Sequence, residues 1–341
     1  MKLEERRRLG RSDVSVTVLG LGGAALGNLY EPVSEASAAE TIGRALSLGI
    51  DYFDTAPYYG YGLSEERLGR VLAPVDRDAF VVSTKVGRLL VPRTGAARSD
   101  HGFIDANRFD PVFDYGYDGV MRSFESSLER LGLDRIDVLL MHDIGALTHG
   151  AERNAELFEI AIEEGVRAMR ELRDAGAVGA IGLGVNECDV CIEALGRTEL
   201  DCLLLAGRYT LLEQGALDTL LPLCEKTGTS IIVGGPFNSG VLVEPEEGAR
   251  HYDYDAAPPE VAERVERLHA VCADHGVPLA AAALQLPLHH PAVACVIPGA
   301  RTPDEVEASS RWLRLDVPEL LYRDLRAAGL LHPDAPIGGV A

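Results

Sequence analysis

Long apolar runs are absent from this 341-residue chain. The longest, residues 277–288, is broken by Gln285 and Pro287 and falls short of the roughly 18 uncharged residues that a membrane helix needs. No membrane span is expected. Cysteine is scarce, at 6 residues, which is no disulfide framework for a chain of this size and fits a reducing, cytoplasmic setting. Basic residues are few: 32 Lys and Arg face 53 Asp and Glu, a net charge of −21. That balance argues against nucleic acid as a partner and disfavours anionic membranes. The start, MKLEERRRLG, is charged and lacks the apolar stretch of a secretory signal. Ser/Gly-rich and Pro-rich linkers are missing too, so one domain over residues 1–341 is expected. What is plentiful is core material: 47% apolar and 25% charged residues make up a globular chain.

A rhythm recurs along it: a β-branched run, a loop, an amphipathic helical stretch. Strand-like runs fall at 16–22, 50–56, 80–86, 136–143, 178–185, 201–209, 230–235 and 292–299. Helical patterns lie between them at 34–49, 64–73, 118–132, 156–176, 187–197, 213–228 and 260–276, and one more follows at 302–313. Several open at Ser or Asp and close at Gly, as capped helices do. Strands apolar on both faces, each followed by a helix, mean a parallel sheet covered by helices. Eight such units predict an α/β fold, a (β/α)8 TIM barrel. Residues 3–20 alternate around a turn at Gly10–Asp13 and read as an N-terminal hairpin sealing the barrel floor. Two long irregular stretches, 87–117 and 236–258, follow strands and so belong to the C-terminal face.

Chemistry in such a barrel sits at the carboxyl ends of strands. Strand two ends at Asp54, with Tyr59 in the loop beyond; strand three carries Lys85; strand four ends at His142 and Asp143. Taken singly these have bland readings: a turn carboxylate, a solvated lysine, a satisfied core histidine. Four at successive strand ends form a set. Lys85 lies on an apolar strand and needs an anion, and Asp54 is available. An ammonium beside a phenol lowers its pKa from about 10, so Tyr59 is expected to exchange a proton with a carbonyl or alcohol oxygen near neutrality. His142 can hold the reacting oxygen in place. The set lacks an electron source or sink, so it calls for a hydride cofactor.

The blocks FDTAPYYG (53–60), STKVG (83–87), SLERLGLDRIDVLLMHD (127–143) and IPGARTP (297–303) resemble the signatures of the aldo-keto reductases, and the resemblance runs essentially end to end. It implies a catalytic tetrad of Asp54, Tyr59, Lys85 and His142, with Tyr59 as general acid/base. Further strings, among them residues 112–137, 180–187, 203–214 and 278–293, are similar to the bacterial aldose 1-dehydrogenase branch, which includes L-fucose and D-threo-aldose dehydrogenases and has pyridoxal 4-dehydrogenase as a close relative. By that resemblance Tyr209 stacks on the nicotinamide, Asn186 bonds its carboxamide, and the loop of Pro236, Phe237, Asn238, Ser239, Gly240 and Leu242 wraps the pyrophosphate. Gly299, Arg301, Glu305 and Ser309 line the adenosine end. Tyr30 and Phe237 face the substrate. NADP-preferring members carry Lys and Arg where this chain has Gly299 and Glu305. A glutamate there accepts from ribose hydroxyls and repels a 2′-phosphate, which favours NAD over NADP.

Other motifs carry less. Gly20–Ala25 fits G-x-G-x-x-A, but loop chemistry follows it where a dinucleotide fingerprint needs a helix. Cys188 and Cys191 form a C-x-x-C with no second pair, so no metal is expected. His289 and His290, beside Pro291, read as a helix end. The expected function is an NAD(P)-dependent oxidoreductase of carbohydrate metabolism. It takes a small sugar of the L-fucose, L-galactose or D-arabinose type at C1 to the lactone. Pyridoxal or aldehyde chemistry on the same site is one alternative. A cofactor-binding regulatory subunit, as some members of the family are, is another. Oligomeric state stays open, as do the roles of Arg88, Arg93, Arg98, Asp100 and His101 in the 87–117 loop.

Overall fold

A computed structural model of the chain describes residues 1–95, 102–243, 251–252 and 255–338. Arg98, Asp100 and His101 lie outside them. β1 (Arg6–Arg8) and β2 (Ser15–Thr17) pair antiparallel, with Arg6 opposite Thr17. Then come β3 (Leu21–Gly22), β4 (Tyr52–Asp54) and β5 (Val81–Val86), a hairpin of β6 (Arg88–Pro92) and β7 (Phe109–Phe113), and β8 (Val138–His142). After these follow β9 (Ala180–Val185), β10 (Cys202–Ala206), β11 (Ser230–Gly234), a small ribbon of β12 (His251–Tyr252) and β13 (Asp255–Ala256), and β14 (Val293–Ile297). Eight of these form one sheet in the order β3-β4-β5-β8-β9-β10-β11-β14, every pair parallel. Parallel bridges Leu19–Val296 and Gly22–Gly299 join its two edges. The result is a (β/α)8 TIM barrel with helices around it.

The apolar residues divide into two layers. Inside the barrel, Tyr52, Val138, Leu140, Cys202, Ile232 and Cys295 meet Leu9 and Val16 of the N-terminal hairpin, which plugs the floor. The plug fits because Gly10 is left-handed (φ +54°) and lies on Asp201, where an added Cβ would come within 2.1 Å of the carbonyl oxygen. Outside, residues such as Ile42, Leu68, Phe124, Met169 and Leu268 bury the helices against the sheet.

Four elements differ from the sequence reading. The run 16–22 is divided, because Ser15–Thr17 pair in the hairpin while Leu19 bridges to Val296 and Leu21–Gly22 form the barrel strand. The stretch 87–117 is no irregular loop: β6 and β7 pair across it, from Arg88 opposite Phe113 to Pro92 opposite Phe109. The helix expected over 213–228 shrinks to Leu220–Thr227, since Pro222 is tolerated only in a first turn. The pattern at 156–176 starts earlier, at Ala151, and passes through a π turn at Ala161–Gly165. There Gly165 is pressed to within 2.5 Å, by an added Cβ, of the Tyr115 carbonyl oxygen and the Met141 methyl. A last helix, Glu319–Ala327, follows the barrel units. Among the described residues no helix is long and apolar enough to cross a membrane.

Candidate active site

β4, β5 and β8 are neighbours in the sheet, and they bring Asp54, Lys85 and His142 to one patch. The Lys85 ammonium donates to the Asp54 carboxylate at 2.7 and 2.9 Å and to the Thr55 carbonyl at 2.9 Å. The Ser83 hydroxyl donates to the same carboxylate at 2.7 Å, and the Tyr52 hydroxyl donates to Ser83 at 2.9 Å. All of these side chains are buried. Room for the lysine comes from Gly184 on β9, where an added Cβ would stand 3.1 Å from Lys85 Cε. Burial lifts the Asp54 carboxyl above the usual carboxylate range, against the pull of Lys85 and Ser83.

Tyr59 sits on the turn after β4, its N–H bonded to the Ala56 carbonyl at 3.1 Å. That turn leans on the loop after β3: an added Cβ on Gly27 would meet the Tyr59 carbonyl carbon at 2.6 Å, and one on Gly60 would meet the Gly27 oxygen at 2.5 Å. Lys85 Nζ lies 4.7 Å from the Tyr59 ring centroid, and the His142 ring stands nearly perpendicular to it, 5.9 Å away. The expected lowering of the phenol is not found. Burial pushes Tyr59 well above its ordinary value, Asp54 and Asp143 add to the rise, and Arg88 opposes it. The reason is burial: the phenol is shut off from water, while the ammonium against its ring gives its donors to Asp54 and Thr55. His142 is driven the other way, well below 6.5, first by burial and then by Arg88 and Lys85. The imidazole is neutral.

Sequence reasoning missed a second layer. Arg88 forms an ion pair with Asp143, and its guanidinium carbon lies 3.9 Å from the Tyr58 ring centroid and 4.9 Å from that of Phe113. Phe103, brought in by the 87–117 insertion, packs 5.4 Å from Tyr58 and 6.3 Å from Tyr59. Its segment is tied to the loop after β3 by the Tyr30 N–H to the Gly102 carbonyl at 2.7 Å. Only the pairing of residues far apart in sequence reveals Phe103; the His142-Asp143 doublet was the one visible hint of the Arg88 network.

The residues matched to a cofactor are scattered in their fit. Asn186 is half-buried at the end of β9, and its side chain makes no hydrogen bond among the described residues. Tyr209 departs from expectation. Its ring has 0% exposure and stands edge-on to His290, so it offers no open face for a nicotinamide to stack on. Beside it the half-buried Arg208 donates to the Asn186 carbonyl at 2.8 Å. After β11, Pro236, Asn238 and Leu242 are buried, while Ser239 and Gly240 are exposed. Asn238, Ser239 and Gly240 all have positive φ, at +46°, +60° and +97°. The Asn238 side chain is already used, accepting from Thr210 at 2.6 Å and donating to Gly207 at 3.1 Å. The loop's own turns take the N–H groups of Asn238, Gly240 and Leu242, leaving that of Ser239 without an acceptor among the described residues. Phe237 packs edge-on against Trp312, at 5.7 Å, on the helix Pro303–Arg314. Past β14, Gly299 is exposed and Ser309 buried. The Glu305 carboxylate accepts from the Arg301 N–H at 2.6 Å. Arg301 donates through Nη2 to the Leu29 carbonyl at 3.3 Å, while its Nε is buried without a hydrogen bond. That nitrogen lies 3.8 Å from the Glu31 carboxylate, an ion pair with room between the two; a guanidinium, the spare Ser239 N–H and the open Asn186 amide are groups suited to an anionic dinucleotide. Among the described residues no group of three or more His, Cys, Asp or Glu could hold a metal.

A (β/α)8 barrel that gathers a tyrosine, a buried lysine–aspartate pair and a histidine at successive strand ends is the architecture of a carbonyl–alcohol oxidoreductase. The chain matches the aldo/keto reductase family over residues 18–326 and belongs to it. It is 44% identical over 340 residues to the pyridoxal 4-dehydrogenase of Microbacterium luteolum, covering 97% of this chain and 99% of that one. It is 39% identical over 324 residues to the D-threo-aldose 1-dehydrogenase of a Pseudomonas species, covering 93% and 95%. The holo form of an aldo-keto reductase from Bacillus halodurans superposes with a TM-score of 0.73 at 24% identity, over 96% and 97% of the two chains, a likeness of fold.

Proposed function

We propose that this protein is an NAD(P)-dependent dehydrogenase that oxidises an aldose, of the L-fucose, L-galactose or D-arabinose type, at C1 to the lactone. The observation that carries the reading is the arrangement of Tyr59 against neutral His142, over the Lys85–Asp54 pair. A bound nicotinamide would supply the acceptor for the hydride of C1. Tyr59, as phenolate, takes the proton of the anomeric hydroxyl, and the C1–O bond becomes the lactone carbonyl. His142 donates a hydrogen bond to that oxygen and fixes its angle. Lys85, anchored by Asp54, holds a positive charge beside the ring and favours the phenolate when it forms. Asn186 would hold the carboxamide, and Ser239 and Arg301 the phosphates. Glu305 supports a preference for NAD, because a carboxylate at that rim repels a 2′-phosphate. The cysteines of the chain are free, in accord with a cytoplasmic setting.

Pyridoxal is a second reading, favoured by the 44% identity to a pyridoxal 4-dehydrogenase. The two substrates share chemistry. Pyridoxal closes on its neighbouring hydroxymethyl group to a cyclic hemiacetal, and oxidation of that carbon again gives a lactone. Aldehyde reduction uses the same groups in reverse. The test is nicotinamide reduction, followed by near-ultraviolet absorbance, with NAD⁺ and NADP⁺ against L-fucose, L-galactose, D-arabinose, D-glucose, pyridoxal and a simple alcohol. Turnover of one sugar supports the first reading, and turnover of pyridoxal alone replaces it with the second. Cofactor binding without turnover in either direction leaves the regulatory-subunit reading.

A further inference from the structure

Asp143 follows His142 directly and stands in left-handed backbone (φ +47°), which is uncommon outside glycine. Its N–H is anchored on the Gly184 carbonyl at 2.8 Å. The turn puts Asp143 Oδ2 3.3 Å from His142 Nε2 and in an ion pair with Arg88. The three side chains are nearly shut off from water, at 5% exposure for His142, 15% for Asp143 and 8% for Arg88. The contact to Nε2 is not a hydrogen bond: the carboxylate stands off the ring's N–H direction and acts through its field. The other ring nitrogen, Nδ1, is buried and has no hydrogen-bond partner.

We propose that Asp143 is a positioning residue for the reaction: its carboxylate fixes His142 in the tautomer that carries the proton on Nε2, and Arg88 holds that carboxylate charged and in place. Two arguments meet here. With a carboxylate 3.3 Å from Nε2, its field raises the energy of a lone pair on that nitrogen and lowers that of a proton there. A proton on Nδ1 would be a buried N–H with no acceptor, a rarer and costlier defect than a buried lone pair. Lys85, Tyr59 and Tyr58 also face the ring, and burial, then the cations Arg88 and Lys85, keep it from charging. The outcome is a donor whose N–H is off the carboxylate axis and free for the substrate oxygen. The inference rests on His142 acting as that donor.

The test is ¹⁵N NMR of histidine-labelled full-length protein, in which the two tautomers have distinct nitrogen shifts. The His142 signal is assigned by its loss in His142→Asn. The wild-type ring is expected as the Nε2–H form across neutral pH. Asp143→Asn keeps the size and tolerates left-handed backbone. It is expected to shift the ring to Nδ1–H or a mixture and to lower kcat about tenfold or more, as loss of a preorganised donor does. Asp143→Glu is expected to restore part of both. A wild-type Nδ1–H ring overturns the proposal even if no variant folds. An unchanged tautomer in Asp143→Asn overturns it even if turnover falls. A tautomer shift in a protein that turns over no substrate in the panel sinks the functional reading instead and leaves the Asp143 effect on the ring standing.

Discussion

Lys85 Nζ lies 2.7 Å from Asp54 Oδ2, with only 1% and 3% of the two side chains exposed. Neither charge has water to fall back on, so each depends on the other. Asp54→Asn leaves an uncompensated buried ammonium. The expected loss is about 3–5 kcal/mol of unfolding free energy, with much of it recovered in the Asp54→Asn, Lys85→Met double variant. Urea denaturation of the three proteins measures this. A loss below about 1 kcal/mol, typical of surface pairs, would contradict the buried geometry.

Tyr59→Phe removes one hydroxyl and leaves the ring, its packing and the rim intact. Turnover is expected to fall by about 10²-fold or more, while cofactor affinity by fluorescence titration stays near that of the wild type. Wild-type turnover in this variant would remove Tyr59 from the acid/base role.

In the proposed mechanism the ionisation of Tyr59 sets the pH dependence. Burial, Asp54 and Asp143 hold the phenol protonated at neutrality. Oxidation uses the phenolate, so its kcat/KM is expected to climb through the alkaline range. Reduction uses the phenol, so its rate is expected to stay level through neutrality and fall only at high pH. His142 is held neutral below its ordinary 6.5, so neither profile carries an acid limb there from this ring. A pH–rate series in both directions reads this, and an oxidation rate that is flat from neutral to alkaline pH counts against it.

Glu305 is exposed at the start of the helix Pro303–Arg314. Replacing it with arginine removes a repulsion and adds a phosphate donor. Glu305→Arg is expected to shift the NADP/NAD ratio of kcat/KM about tenfold toward NADP. The same substitution deletes the acceptor of the Arg301 N–H, so Glu305→Gln serves as the control for helix-end effects. An unmoved ratio would put the adenosine ribose elsewhere.

What the sequence made legible follows from periodicity. Both faces of every barrel strand are buried, so the runs are apolar without alternation, and eight of them followed by helices define the barrel. Asp54, Tyr59, Lys85 and His142 were legible because strand ends in this fold converge. What stayed hidden depends on distance. Nothing local to Phe103 says that it packs on Tyr58. Nothing local to Arg88 says that it will pair with Asp143, because β6 and β7 create that meeting. The Tyr59 phenol was misjudged for a related reason: proximity to Lys85 is readable from the chain, but the burial that raises the phenol is decided by residues distant in sequence. Tyr209 was placed by motif, and its burial is decided by neighbours such as His290.

β3 is only two residues long, and the ring of strands closes through it. At that seam the barrel's first and last strands are held by the N–H groups of Gly20, Gly22 and Val296, each 2.9 Å from its acceptor. A ring parts at its thinnest link, so these amides should exchange with solvent before those of β8, β9 or β10. Gly299 and Arg301 lie immediately past that link. A dinucleotide lying along them would act as a clasp, and its binding would register as slowed exchange at Gly20 and Gly22, on the opposite side of the seam from the residues that hold it.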